Sequence, residues 1–502
     1  MMIASGHQYW PIQTVFPFGL MQVVQSSFIS LILVGLVLFG GARVALIVIF
    51  ALLPMGMMAA VNLPAIGNTS VLAIDLAVIA LLFSQVARPG GMVRLAQFMS
   101  AAFLVIAVLL ALLLYATLAT LFFPRIFAGE TEVFSLSRTV GQKGIVSGPL
   151  RPGTGNLSQL LRLYLAVAAF FATAMVVWRW KDPGLIYKAV GAATLVHVGM
   201  GFFDLAAQAT GTNWLLGWAR TANYSLTLGQ ELAGLNRMIG GYPEASSYGY
   251  LSLGLLGFWL SWWMTDRSRS IVPTVMLLLV AFVVLRGTST SAYVGAAVFF
   301  VIFLGQRMSE IQSSDGNISR RGLAMTFVTL SLLPFMIIVG YSLYQMVPSV
   351  TEFVDRSLLD KLSSDSGIER MSWNAQALRN FVDTNLLGAG LGSVRASNWV
   401  CAALGTLGLP GFLLMCWFLW QVFSSVPRNS GDHTQRIALA LKMALVGFLA
   451  RAVVVKASPN LDISFFAMAG VVVGLAASSA VAAKRRPAPR TVTMTRLPAR
   501  SP

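Results

Sequence analysis

Residues Ser364 to Gly411 read SDSGIERMSWNAQALRNFVDTNLLGAGLGSVRASNWVCAALGTLGLPG, a polar stretch set between hydrophobic spans. Ser366 with Glu369 three residues later is a capping-box signature, and Trp373, Ala377, Leu378 and Phe381 recur at helical spacing. The pattern predicts a short amphipathic helix over about 367–382. Gly388, Gly390 and Gly392 follow in a run that no regular element tolerates well. A tight backbone path or the close approach of a ligand would account for it. Arg370 and Arg379 fall on opposite faces at ~100° per residue, so both cannot face one ligand unless the helix breaks.

Outside this stretch the 502-residue chain is overwhelmingly apolar: 57% hydrophobic, 11% charged, with a mean hydropathy of +0.75. That balance predicts an all-α polytopic integral membrane protein, with large external loops carrying short helices. Runs of about twenty apolar residues fall near 17–40, 43–62, 70–87, 97–123, 160–178, 187–207, 246–264, 271–286, 289–306, 323–346, 401–423, 438–457 and 460–482. They predict roughly 12–13 transmembrane helices.

The formal charge of +17 would suit nucleic acid, but its excess lies in short inter-span loops and in the basic tail at 483–502. The positive-inside rule explains that distribution more simply and leaves no case for nucleic acid. It puts the tail in the cytoplasm and the polar segments 124–159, 208–245 and 347–400 on the far side. The chain then divides into an N-terminal transmembrane scaffold (1–123), an external loop (124–159), central helices with segment 208–245 (160–346), a large loop (347–400) and C-terminal helices (401–482). The two cysteines, Cys401 and Cys416, share one span and read as buried thiols. No cleavable signal pattern opens the chain, so the first span is expected to direct insertion.

Segment 124–159 reads as a solvated loop. His197, in a span near Asp204, reads as a satisfied structural histidine, since histidines at 7, 197 and 433 give no metal-ligand spacing. Segment 208–245 runs into LNRMIGGYPEASSYGYLSLG (235–254), where Arg237 and Glu244 stand at the mouth of a span. Two readings stay level: an anion site with a carboxylate able to act on a hydroxyl, or an interfacial ion pair that anchors the span. Thr288 to Ser291, after Arg286, fit helix packing. Arg451 and Lys456 fit snorkelling to headgroups. Phosphate-binding loops, dinucleotide fingerprints and serine elbows are lacking, which disfavours ATP-driven transport by this chain alone.

The Arg-x-x-Gly-Gly-Tyr-Pro-Glu-Ala-Ser stretch before a span, the loop with Glu369-Arg370-x-x-Trp373, the Gly-x-Gly-x-Gly run and the closing Gly408-x-x-Gly411 resemble the O-antigen polymerase and ligase family over roughly 235–412. The resemblance implies a GT-C-like membrane glycosyltransferase without a metal or other cofactor. It would act on undecaprenyl-diphosphate-linked glycans at the periplasmic face of the bacterial inner membrane. A chain-length regulator and a flippase of the same pathway are the implied partners, besides membrane lipids. Ligases of the family carry a histidine-asparagine pair where Ser397-Asn398 stands here, and GLGSVRASN is closer to the exopolysaccharide polymerases. A polymerase therefore leads, with ligase and flippase or transporter as alternatives.

In that reading Arg237 and Arg379 are catalytic, and Arg395, with Arg286 and Arg370 less directly, binds the substrate diphosphate, because guanidinium forks bind phosphate oxygens bidentately and stay charged. Glu244 is the candidate base. Ser397, Asn398 and Trp373 line the substrate, with Trp373 and Trp399 able to stack on sugars or to anchor at the interface. For Arg379 the competing role is an exposed pair with Asp383, and Arg379→Ala is expected to abolish polymer if the catalytic role holds.

Overall fold

The computed structural model describes residues 14–18, 21–64, 69–136, 145–232, 234–266, 268, 270–313, 327, 341–342, 344–355, 365–427 and 430–485. The chain is mostly helical, at 74%, and among the described residues seven helices are long and apolar enough to cross a membrane. It is a multi-pass helical membrane protein. In lipid each backbone N–H must find its carbonyl within the same segment, and long apolar runs therefore fold as helices.

Strands β1 (Thr14–Phe18) and β2 (Met21–Val24) lead into α1 (Gln25–Phe39) and α2 (Gly41–Leu52). Strands β3 (Ala59–Leu63) and β4 (Thr69–Leu72) then complete a four-stranded antiparallel sheet in the order β1-β2-β3-β4. Helices α3 (Ala73–Ala87) and α4 (Gly91–Ala101) meet at a 103° bend. Helix α5 (Phe103–Ile126), the hairpin β5 (Glu132–Leu136) and β6 (Ile145–Pro149), α6 (Thr154–Trp180) and α7 (Pro183–Thr210) follow. Next come a 3₁₀ turn at Asn213–Ala219, the short pair β7 (Glu231–Leu232) and β8 (Leu235–Asn236), α8 (Ala245–Thr265), α9 (Val272–Arg286) and α10 (Thr290–Ser313). The last helices are α11 (Pro348–Val354), α12 (Asp365–Asp383), α13 (Trp399–Ser424), α14 (Asp432–Val454) and α15 (Asp462–Arg485).

The seven candidate spans lie in α5, α6, α7, α10, α13, α14 and α15, and the bent α3–α4 pair would make an eighth. This is fewer than the 12–13 that apolar runs predict. Stretches 17–40, 43–62 and 70–87 are each divided between a strand and a helix. With 15 residues, α1 reaches about 22 Å at ~1.5 Å per residue, short of a ~30 Å hydrocarbon core. The helix content agrees with the expected all-α polytopic class, to which a four-stranded N-terminal sheet and the two-stranded hairpins at 132–149 and 231–236 are small additions. Most of stretch 323–346 lies outside the described residues.

Glycine sets the closest helix contacts. A Cβ on Gly257 would stand 2.2 Å from the Met443 carbonyl oxygen, and one on Gly447 2.3 Å from that of Leu253, so α8 and α14 touch backbone to backbone. Gly470 and Gly474 let α15 approach α6 in the same way.

Segment 124–159, expected to be a solvated loop, is docked on α12. Gln376 donates to the Glu132 carbonyl at 2.6 Å, and Asn380 donates to the Thr131 hydroxyl at 2.9 Å and to the Glu132 carbonyl. Helix antiparallelism brings the ends of α5, α7, α9 and α14 and the starts of α6, α8, α10, α13 and α15 to one end of the bundle. The site is built at that end.

Candidate functional site

Segment 235–244 is fixed from beneath by Asp204, near the end of α7. Its buried carboxylate pairs with Arg220 and accepts from the backbone N–H groups of Ile239 at 2.8 Å and Gly240 at 3.1 Å. Arg220 also donates to the Gly240 carbonyl at 2.7 Å. Gly240, at φ +53°, has no room for a Cβ, which would meet the Tyr248 ring at 2.7 Å. Tyr242 donates its hydroxyl to the Leu53 carbonyl at 2.8 Å, and burial pushes that hydroxyl far above the ordinary tyrosine range. Arg237 and Glu244 thus stand at the two ends of a clamped backbone. His197 is buried, bonded to the Ser252 hydroxyl at 2.8 Å and stacked on Tyr248 at 4.0 Å, but it is not the fully satisfied histidine expected, since its Nδ1 has no partner among the described residues.

Arg237 and Glu244 do not form the anchoring ion pair that sequence left open. The half-buried Arg237 donates Nη1 to Gln230 Oε1 at 2.9 Å, and its buried Nε has no partner among the described residues. Burial pulls its guanidinium below the ordinary range; Glu244 opposes that shift and Arg370 adds to it. Glu244 begins α8 and is exposed. Its Oε1 accepts from the hydroxyls of Ser246 and Ser247, while Oε2 takes no hydrogen bond among the described residues.

The loop after α12 supplies the opposite wall. Gly388, Gly390 and Gly392 all lie at positive φ, and a Cβ on them would strike the backbone of Gly408, Ala119 and Gly155 at 2.4, 2.9 and 2.3 Å. Of the two readings of this run, the tight backbone path is the one observed. Asn374, on α12, accepts from the N–H groups of Ser397 at 2.8 Å and Asn398 at 3.0 Å, and so fixes the loop's exit.

On this loop Arg395 lays its guanidinium 4.1 Å over the centre of the Trp373 ring. Trp373 is only 4% exposed, so that face is taken by arginine and is not open to a sugar; its buried Nε1 has no partner among the described residues. Crowding by the surrounding protein lowers the Arg395 guanidinium from its ordinary range, and Glu244 and then Glu369 raise it again. The amide of Asn398 is spent internally: Oδ1 caps α13 through Val400 N at 2.8 Å, and Nδ2 donates to the Val453 carbonyl. Ser397 is buried, and its carbonyl accepts from Lys456 N at 3.0 Å.

Arg451 departs most from expectation. It does not snorkel: it is 1% exposed, with Nη2 donating to the Ser246 carbonyl at 3.1 Å and Nη1 to that of Val455 at 2.9 Å. A bare Gly295 makes space for it. Arg451 lies within electrostatic reach of Glu244, Arg370 and Arg237. Lys456 does not reach outward either; it pairs with Asp462 and lies 4.5 Å over the Tyr250 ring.

Arg237, Arg395 and Arg451 are thus each coupled electrostatically to Glu244, Arg370 to Arg237 and Arg451, and Glu369 to Arg395. Arg286 joins from α9, donating Nη1 to the Asn236 carbonyl at 3.0 Å, next to Arg237. Arg379 is not brought in. It is exposed on the other face of α12, with no hydrogen bond or ion pair among the described residues, and Asp383 instead accepts from Thr131 at 2.5 Å. Like charges held this closely repel, so the arrangement is suited to an anion that offsets them.

Sequence reasoning missed Arg451, Asn374 and the Asp204–Arg220 pair. Gly447, one helical turn before Arg451, was the available signal: it marks the face of α14 that packs inward. No protein-family model matches the sequence, and no curated protein matches it either.

Proposed function

We propose that this chain is a GT-C-like membrane glycosyltransferase that polymerises undecaprenyl-diphosphate-linked oligosaccharide repeat units at the periplasmic face of the bacterial inner membrane. The observation that carries the reading is the electrostatic coupling of Arg237, Arg395 and Arg451 to an exposed carboxylate, Glu244, with Arg370 coupled to Arg237 and Arg451, at one end of a membrane bundle.

In the proposed reaction the acceptor hydroxyl oxygen attacks the anomeric carbon of the donor, and the bond from that carbon to the phosphate oxygen breaks. Glu244 takes the hydroxyl proton on Oε2, while Oε1 is held by Ser246 and Ser247. Charge developing on the departing diphosphate is met by the guanidinium groups, which are in place before reaction; losing one donor of this kind costs on the order of 100-fold in rate. Trp373 holds the Arg395 plane in one orientation. The resemblance over roughly 235–412 supports the same assignment, since its arginines at 237, 370 and 395 and Glu244 are members of the cluster.

The test is the size distribution of undecaprenyl-linked glycan and of secreted polysaccharide in a deletion strain. Single repeat units left on the carrier, with no polymer, are expected. Polymer built on the carrier but not passed on would mean a ligase, and units confined to the cytoplasmic leaflet a flippase.

A further inference from the structure

At the end of the bundle away from Glu244, where α6 stops and α7 starts, two helices bring arginines to one indole. Arg43, in the first turn of α2, and Arg179, in the last turn of α6, lie 5.9 and 5.5 Å from the centre of the Trp180 ring. Arg88 caps α3 and Arg94 lies in the first turn of α4, on either side of the 103° bend between those helices. Both couple electrostatically to Arg179. Phe98, four residues after Arg94 and on the same face of α4, is buried against Trp178 at 6.1 Å, which turns that face toward the end of α6.

No carboxylate answers these charges: none of the four arginines forms an ion pair among the described residues. Arg94 Nη1 donates to the Pro89 carbonyl at 2.9 Å, and its buried Nη2 has no partner among the described residues. The adjoining Lys181 and Asp182 are engaged elsewhere, with the Ser478 carbonyl at 3.3 Å and the Leu185 N–H at 3.1 Å. Apolar side chains lie open in sequence beside the charges, Phe39 and Val44 near Arg43 and Met92 and Val93 next to Arg94.

We propose that Arg43, Arg88, Arg94 and Arg179 bind the headgroup of a phospholipid bearing two phosphates, of the diphosphatidylglycerol type. The inference is independent of the reaction proposed at Glu244. Four guanidinium groups without acidic partners exceed what one phosphate offsets. Two phosphates on one short linker meet them together, the second without a separate loss of translational freedom. Basic pockets between membrane helices suit such headgroups. Trp180 orients two of the guanidinium groups, and the open apolar side chains favour a lipid over a soluble anion. Bound there, the lipid would bridge α2, the α3–α4 bend and α6.

The test uses the full chain in phosphatidylcholine nanodiscs, with diphosphatidylglycerol or twice its amount of phosphatidylglycerol as probe and bound lipid counted by native mass spectrometry. Arg43→Gln and Arg179→Gln each remove one exposed charge of the cluster, and Arg379→Gln removes one that is exposed on α12. Diphosphatidylglycerol is expected to be retained in preference to phosphatidylglycerol. Each cluster variant should weaken it about fivefold, while Arg379→Gln binds as the parent chain does. Trp180→Leu, which leaves every charge in place at a position 43% exposed, should weaken it about two- to fivefold. Equal retention of the two lipids, an equal loss in Arg379→Gln, or unchanged binding in both cluster variants would each overturn the proposal. Displacement of the lipid by inorganic pyrophosphate would overturn it too, in favour of a site for soluble anions.

Discussion

Arg451 Nη2 donates to the carbonyl of Ser246 at 3.1 Å, so a buried guanidinium on α14 holds the first turn of α8, the turn that Glu244 opens. Its other terminal nitrogen holds Val455, whose neighbour Lys456 binds the Ser397 carbonyl. One side chain thereby ties the carboxylate to the wall that carries Arg395. Arg451→Met is expected to remove most polymer and to lower the melting temperature of the solubilised protein, because hydrogen bonds from a charged donor are worth about 1.5–3 kcal/mol. Arg451→Lys should recover stability better than polymer, since one ammonium cannot span both carbonyls in the fixed fork geometry. Full polymer from Arg451→Met, read on a glycan gel, would remove Arg451 from the site.

Arg370 and Arg379 offer a paired comparison on one helix. Arg370 lies within reach of Arg237 and Arg451, and Arg379 is exposed on the opposite face of α12. Arg370→Ala should cut polymer on the order of 100-fold, and Arg379→Ala much less. Equal losses at matched membrane levels would put a second site on the outer face of α12.

Asn380 is fully buried and reaches Thr131 and Glu132, so it bears on how the 132–149 hairpin docks. Asn380→Ala leaves those groups unsatisfied, at a cost of about 1–3 kcal/mol. Hydrogen exchange in β5 and β6 should accelerate while that in α6 and α15 stays as it was; a uniform change would mean that the hairpin is not a separate unit.

Gly388 sits at φ +84° with the Gly408 nitrogen 2.4 Å from where a Cβ would be. Gly388→Ala must strain the backbone and push apart the loop and α13, and is expected to lower membrane levels severalfold on an immunoblot. Gly392→Ala, facing the Gly155 carbonyl, should behave alike, whereas Gly191→Ala on α7, where a Cβ meets nothing within 4 Å, should be neutral.

The long helices were legible because an apolar run of about twenty residues has few other ways to satisfy its backbone. Stretches 17–40, 43–62 and 70–87 misled because the strands Met21 to Val24, Ala59 to Leu63 and Thr69 to Leu72 lie in the same runs as apolar helices, and periodicity cannot divide such a run. In the site, Arg237, Glu244, Arg370 and Arg395 could be named from the stretches that hold them. Arg379 was named with them, but it lies exposed on the other face of α12. Arg451 escaped because an arginine near a span's end ordinarily reaches for headgroups, and only the glycines of α8 and α14 reveal which face is inside.

The bond between Arg451 and Ser246 joins residues 205 positions apart. During synthesis Glu244 therefore emerges long before the side chain that secures its turn, by about 10–40 s at ordinary elongation rates. Over that interval the space beside Gly295 has no arginine in it, and the Ser246 carbonyl must make do with water or a neighbouring group. The nascent chain thus inserts with an unfinished centre, and the arrival of α14 completes it. A ribosome stalled before residue 451 would carry a bundle that is threaded but whose Glu244 turn is not yet held by α14.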